Sequence, residues 1–223
     1  MKTIVITGAT GVLGNLVAKT FAADGHNIAL LDRDETKLES LVRELNLPSE
    51  RLHAQTIDLL NGQAVQDSAE AVRSKFGSVH ALIHLVGGWT GGKTIPESNA
   101  ADLDAMINQH VWTTYHLLKS FAPHIANSRE AWGRVIAVSM PVTVNPSAKM
   151  ALYAAAKSAQ ESLVLTLAQE FKENGLTANV IHVKSIDVKN EGKGTSPAEI
   201  VSAMQYLFSE EANKVTGARI PLY

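Results

Sequence analysis

Tyr153 and Lys157 stand four positions apart in the alanine-rich stretch MALYAAAKSA. On a helix that spacing puts both side chains on one face. An ammonium beside a phenol favours the phenolate and lowers its pKa from about 10, which makes the hydroxyl a proton donor or acceptor near neutral pH. A second constellation lies at the other end of the chain. TGATGVLG sets Gly8, Gly11 and Gly14 with two residues between each pair, directly after the β-branched run TIVIT and ahead of a helical pattern, so Gly8, Gly11, Val12, Leu13 and Gly14 are expected to contact a dinucleotide. Glycines in that context turn the backbone tightly and let it approach a pyrophosphate, while the helix N-terminus supplies N–H donors. LLDR places Asp32 eighteen residues past Gly14, where a carboxylate accepts hydrogen bonds from ribose hydroxyls and repels a 2′-phosphate. NAD(H) is the favoured dinucleotide, and Arg33 keeps NADP(H) possible because a guanidinium there tolerates that phosphate.

The elements that must carry these groups are legible as alternating patterns. Short apolar runs occur at 3–7, 27–31, 52–57, 81–86, 134–139 and 177–183, with helical patterns at about 13–24, 35–46, 62–76, 100–126, 151–174 and 197–209 and a last short strand near 218–222. Near-continuous apolar strands suit a parallel sheet covered on both faces. The expectation is an α/β fold, a Rossmann-type doubly wound parallel sheet of about seven strands flanked by helices, forming one domain over 1–223. The loosest stretches, 87–100 and 189–199, follow the fourth and sixth strands on the carboxyl edge, where such sheets bind ligands.

With Gly8, Gly11, Gly14, Asp32, Tyr153 and Lys157 in this order, the chain resembles the short-chain dehydrogenase/reductase family over essentially its whole length. The resemblance implies an NAD(P)(H)-dependent oxidoreductase that moves hydride to or from a carbonyl, alcohol or quinonoid imine, with Tyr153 as acid or base. It implies that Lys157 both lowers the tyrosine pKa and holds the nicotinamide ribose. It also implies that Asp58 and Leu59, in TIDLL, contact the adenine, and that Gly87 and Gly88, in HLVGG, line the dinucleotide where the family has Asn-Asn-Ala-Gly. The long helical stretches 100–126 and 151–174 pair across a two-fold axis in that family, so a homodimer or homotetramer is expected.

Two departures fall on the family's catalytic asparagine and serine, which align with His110 and Met140. His110 is either a buried histidine bonded to backbone or a replacement that relays protons behind Lys157, a task suited to a pKa near 6.5. Met140 cannot donate the hydrogen bond that a serine gives to a substrate oxygen, a loss of about 10²–10³ in rate. Ser139 points to the opposite face of the strand unless the strand end bulges, and Thr143 lies in the next loop; either is a candidate to substitute. VGGWTGG and HVWTT are similar to stretches of the dihydropteridine reductases within the family, which suggests a flat substrate under Trp89. The alternative is a non-catalytic dinucleotide-binding sensor or subunit with a degenerate site.

Composition narrows the classes further. The 223 residues carry a net charge of −2, which gives no basic footprint for nucleic acid, and no apolar run reaches the length of a membrane span. The chain has no cysteine, so thiol catalysis, disulfides and thiolate metal sites are out. His80 and His84 lie on a strand, where four residues span about 13 Å, so no metal site is expected. A small-molecule substrate, no membrane and a cytoplasmic setting complete the expectation.

Overall fold

The computed structural model describes residues 1–128, 132–189 and 191–223. Strands β1 (Thr3–Thr7), β2 (Asn27–Asp32), β3 (Leu52–Thr56), β4 (Ala81–His84), β5 (Gly133–Ser139), β6 (Leu176–His182) and β7 (Arg219–Pro221) form one sheet in the order β3-β2-β1-β4-β5-β6-β7. Every pairing is parallel. The strand order reverses between β1 and β4, so the crevice at their carboxyl ends is the topological switch point. This is the expected doubly wound sheet, and the inner strands β1, β2, β4, β5 and β6 are buried along nearly their whole length because helices cover both faces, whereas the edge strands β3 and β7 are partly exposed.

Helices α1 (Val12–Ala23), α2 (Glu35–Leu45) and α7 (Pro197–Phe208) cover one face, where Phe21, Leu41, Ile200 and Phe208 pack on Ile4, Ile28 and Ile181. Helices α3 (Gly62–Phe76), α5 (Thr113–Ala126) and α6 (Ala151–Glu170) cover the other, with Val65, Phe121 and Val164 against Val5, Leu82 and Val180. Helix α4 (Ala100–Ile107) runs into α5 through a π-helical turn, Asn108–Trp112. His110 sits at the middle of that turn rather than in regular helix. Such single-turn bulges recur at functional sites, because the extra residue re-aims side chains.

The helix starts are locally encoded. Asp34 caps α2 by accepting from the Lys37 N–H, Asn61 caps α3 by accepting from Ala64, and Ser196 with Glu199 forms a capping box with Pro197 at the first turn of α7. Helix α1 differs: its N-cap is Gly11, which has no side chain to satisfy the first-turn donors. Those N–H groups face the crevice without a protein cap. No described helix is long and apolar enough to cross a membrane.

Candidate active site

The crevice at the switch point has two half-clefts that share Gly8, Gly11, Gly87 and Gly88. One, of about 370 Å³, is bordered by Asp32, Arg33, Asp58 and Leu59. The other, of about 440 Å³, is bordered by Trp89, Met140, Tyr153, Lys157 and Lys184, with Val12, Leu13 and Gly14 at its rim. The structure therefore brings the glycines, Asp32, Arg33, Asp58, Leu59, Trp89, Met140, Tyr153 and Lys157 to one groove, while Thr143 and His110 do not border it. His110 lies directly behind it: a Cβ added at Gly87 would stand 2.8 Å from His110 Cε1 and 3.7 Å from Lys157 Nζ.

The glycine loop is shaped by close approach. Gly8 adopts φ +68°, and its Cα faces the Leu85–Val86 backbone, where an added Cβ would meet three backbone atoms at 3.1–3.2 Å. At Gly14 the crowding is severe, with an added Cβ 2.2 Å from Gly8 O and 2.8 Å from Ala9 Cα. These contacts pack the start of α1 onto the loop and leave its N-terminus open. Leu13 is buried in the core and Val12 is exposed, so the two expected dinucleotide contacts present different faces to the rim. Asp32 braces the loop as well: Oδ2 accepts from the Thr10 N–H at 2.9 Å and Oδ1 from the Asp34 N–H at 3.1 Å. Asp58 Oδ1 accepts from Leu60 N–H at 3.0 Å, holding the turn that carries Leu59.

A pyrophosphate fits what is present, because the uncapped α1 donors and the side-chain-free cradle of Gly8 and Gly14 are the features an anion of that size needs. Carboxylate oxygens of Asp32 keep lone pairs beyond those used on backbone, as a ribose diol requires.

At the other end, Lys157 Nζ donates to Val138 O and to Gln160 Oε1, both at 2.8 Å. It lies 5.9 Å from the centre of the Tyr153 ring. Burial pushes the Lys157 ammonium down to about 8, against an opposing pull from Glu161. Burial pushes the Tyr153 phenol up to about 12. That reverses the expected lowering of the tyrosine by its lysine. The reason is geometric: the ammonium is drawn back onto Val138 O and Gln160 Oε1, so desolvation of the phenolate outweighs an attraction that is not aimed at its oxygen.

His110 is fully buried, with Nε2 2.9 Å from Gly88 O and its ring edge-on to Tyr153 at 5.4 Å. Donation to a carbonyl puts the ring hydrogen on Nε2 and leaves Nδ1 an acceptor, which has no hydrogen-bond partner among the described residues. Burial, then the Lys157 charge, holds the ring down to about 4. The two alternatives posed for His110 thus meet in one group, bonded to backbone through one nitrogen and open through the other.

Neither hydroxyl neighbour replaces the missing serine. Ser139 Oγ is committed to Glu161 Oε1 on α6 at 2.5 Å, and Thr143 Oγ1 donates to Met140 O at 3.0 Å. The strand pairs one-to-one with β6 through Ser139, without a bulge, and Met140 borders the cleft just past its end. Trp89 is exposed and folds over Gly91 at the mouth, while Gly92 N–H donates to Lys149 O at 3.0 Å and Lys93 pairs with Asp102 at 2.8 Å. The glycine-rich segment is thereby tied to the loop that leads into Tyr153. Beyond β6, the Asp187 carboxylate accepts from the N–H groups of Glu191, Gly192 and Lys193.

Sequence reading missed Gln109, which borders the first half-cleft and would meet a Cβ at Gly88 at 2.4 Å. It also missed Glu161, which binds Ser139, His182 and Arg219 and so joins α6 to three strands. No local pattern marks either residue.

The chain is similar to known proteins in sequence and fold. An uncharacterized oxidoreductase of Bacillus subtilis (strain 168) is 27% identical over 235 residues, covering 97% of this chain and 95% of its own. A 3-ketoacyl-(acyl-carrier-protein) reductase from Brucella melitensis, solved in complex with NADH, superposes with a TM-score of 0.89 at 22% identity over 99% of this chain and 96% of that one. The NADPH-bound structure of a short chain oxidoreductase from Pseudomonas aeruginosa PAO1, described as containing an atypical catalytic center, gives 0.90 at 20% identity over 99% and 95%. The short chain dehydrogenase family itself matches residues 2–197. That span opens one residue before β1, closes at the first residue of α7 and takes in both half-clefts with everything that borders them, so the chain belongs to the short chain dehydrogenase family of oxidoreductases.

Proposed function

We propose that the protein is a nicotinamide-dinucleotide-dependent reductase of a small carbonyl or imine compound, with NAD(H) preferred. The dinucleotide's place is the shared groove: Val12, Leu13 and Gly14 at the pyrophosphate, Asp32 and Arg33 at the adenosine ribose, Asp58 and Leu59 at the adenine, and Gly87, Gly88 and Lys157 towards the nicotinamide ribose. When bound, the nicotinamide supplies the hydride. The observation that carries the reading is the joining of an uncapped α1 and its glycine cradle to Tyr153 and Lys157 in one groove. Similarity to one protein solved with NADH and another solved with NADPH supports a dinucleotide of this class. The preference for NAD(H) rests on the Asp32 carboxylate, which repels a 2′-phosphate.

With its pKa near 12, Tyr153 is a protonated phenol at neutral pH and acts as the acid that protonates the substrate oxygen or nitrogen. Lys157 holds its charge at that pH and supports the developing negative charge. His110, neutral and accepting through Nδ1, takes up the position of a relay behind Gly87. Met140 leaves the substrate unpolarised from that side, which favours compounds that accept hydride readily, such as quinonoid imines. The same absence favours a second reading, a dinucleotide-binding subunit without turnover.

The groove between α5 and α6 is lined by Tyr115, Leu118, Ala122, Leu163, Thr166 and Phe171, and Trp112 is exposed beside it. That apolar face supports pairing with a second copy of the chain.

Titration with NADH and NADPH, followed by a carbonyl and quinonoid dihydropterin panel monitored through the nicotinamide absorbance, tests the proposal. Turnover supports the reductase; tight binding with no turnover on any member supports the subunit; no binding of either nucleotide removes both.

A further inference from the structure

Behind Lys157 a row of buried polar side chains crosses the molecule to the end of β1. Lys157 Nζ donates to Gln160 Oε1 at 2.8 Å, and Gln160 Nε2 donates to Thr114 Oγ1 at 3.0 Å. The Thr114 hydroxyl gives its own hydrogen to His110 O at 2.5 Å. Its oxygen must then accept from His84, whose Nε2 lies 3.1 Å away. That places the ring hydrogen on Nε2 and leaves Nδ1 to accept from the Thr7 hydroxyl at 2.7 Å. Thr7, His84, Thr114 and Gln160 are all at least 97% buried. Packing alone asks for apolar groups at such places, because each buried polar atom carries a desolvation cost that only a partner offsets.

We propose that Gln160, Thr114 and His84 are positioning residues that hold the Lys157 ammonium between two carbonyl oxygens, with its third hydrogen directed to the cleft. The proposal rests on the reading of Lys157 as the residue that holds the dinucleotide. An amide can be inserted either way round, and the opposite orientation would turn an NH₂ group onto the ammonium. Thr114 settles the choice, because its hydrogen is committed to His110 O and it can only accept from Gln160. His84 in turn fills the second acceptor site of Thr114, so the hydroxyl cannot rotate to donate towards Gln160.

The charges around Lys157 are consistent with this role. Glu161, one turn on along α6, raises it, while His110 from the π-helical turn and His84 from β4 are neutral at pH 7. Tyr153 on α6 is also neutral, and His182 and Arg219 lie beyond Glu161, bonded to it. Gln160 is therefore the dipole in direct contact whose replacement changes the ammonium without altering these charges.

The test is the pH dependence of NADH binding, followed by nicotinamide fluorescence. In the unmodified protein, affinity falls as pH rises through about 8, where Lys157 loses its proton. Gln160→Leu removes an acceptor of the ammonium and moves that midpoint down by about one unit, a tenfold loss of affinity above it. Gln160→Glu moves it up. Thr114→Val follows Gln160→Leu, whereas Thr114→Ser, which keeps the hydroxyl, restores the original midpoint. Gln160→Glu is isosteric with the native amide and keeps the test in hand if the leucine variant fails to fold. An unchanged midpoint in both Gln160 variants, with the pH dependence abolished in Lys157→Met, overturns the positioning role. A pH dependence that persists in Lys157→Met overturns the reading of Lys157 beneath it.

Discussion

Replacing His84 by asparagine should make the protein less sensitive to acid. Both ring nitrogens of His84 are bonded in the core, and burial, followed by the charge of Lys157, pushes its pKa from 6.5 down to about 3. The unfolded chain takes up the proton at about 6.5, and the folded protein refuses it until about 3. Stability from this group is therefore fully present above about pH 6.5 and drains away as pH falls towards 3. At about 1.36 kcal/mol per unit, the loss is about 2 kcal/mol at pH 5 and about 4 kcal/mol at pH 3. For a chain of this size 1 kcal/mol moves Tm by about 2–4 °C, so His84 alone lowers Tm by about 4–8 °C between pH 7 and pH 5. Asparagine offers an amide donor and a carbonyl acceptor but does not titrate. Scanning calorimetry of both proteins across that range should show the decline in Tm smaller by that amount in His84→Asn. His110 adds a loss of the same sign between 6.5 and about 4 in both proteins, so the difference isolates His84. Parallel declines would refute the claim that His84 is held neutral by its surroundings.

Gly14→Ala should abolish NADH binding and lower stability by about 1–3 kcal/mol, because the new methyl meets backbone at 2.2 Å and 2.8 Å, while Gly11→Ala, with its nearest protein contact at 3.4 Å, should leave stability nearly unchanged; urea unfolding compares the two. Met140→Ser should raise kcat on simple ketones by about 10²–10³, since it restores a donor on the cleft side of β5, and steady-state kinetics read this directly. Asp32→Ser should weaken NADH and strengthen NADPH, because it removes the charge that repels a 2′-phosphate while Arg33 remains, as paired Kd values would report.

The sheet was readable in the sequence because strands buried on both faces have to be apolar along their length, as β1 and β6 are. The run ALIHLV illustrates the limit. It predicts strand to residue 86, but β4 ends at His84, since Leu85 and Val86 bend across the glycine loop, where Gly8 approaches them. The pattern over 151–174 likewise breaks at Phe171, where a short 3-10 turn and Gly175 in the left-handed region end the helix. Tyr153, Lys157 and the glycines were found because their spacing is local and their chemistry is specific. The π-helical turn at His110 has no compositional mark. The tyrosine pKa was misjudged because the sequence shows the neighbouring charge but not the desolvation that outweighs it. His84, Thr114 and Gln160 are bonded across separations of 30 and 46 residues, so only the packed α5, α6 and β4 bring them together.

The proton-transfer role of Tyr153 is the centre of the account, and Tyr153→Phe tests it most directly when nucleotide affinity and single-turnover reduction are measured on the same sample. The account predicts NADH binding within a few-fold of the unmodified protein and a loss of turnover of at least about 10². Turnover that survives the loss of the hydroxyl would contradict it.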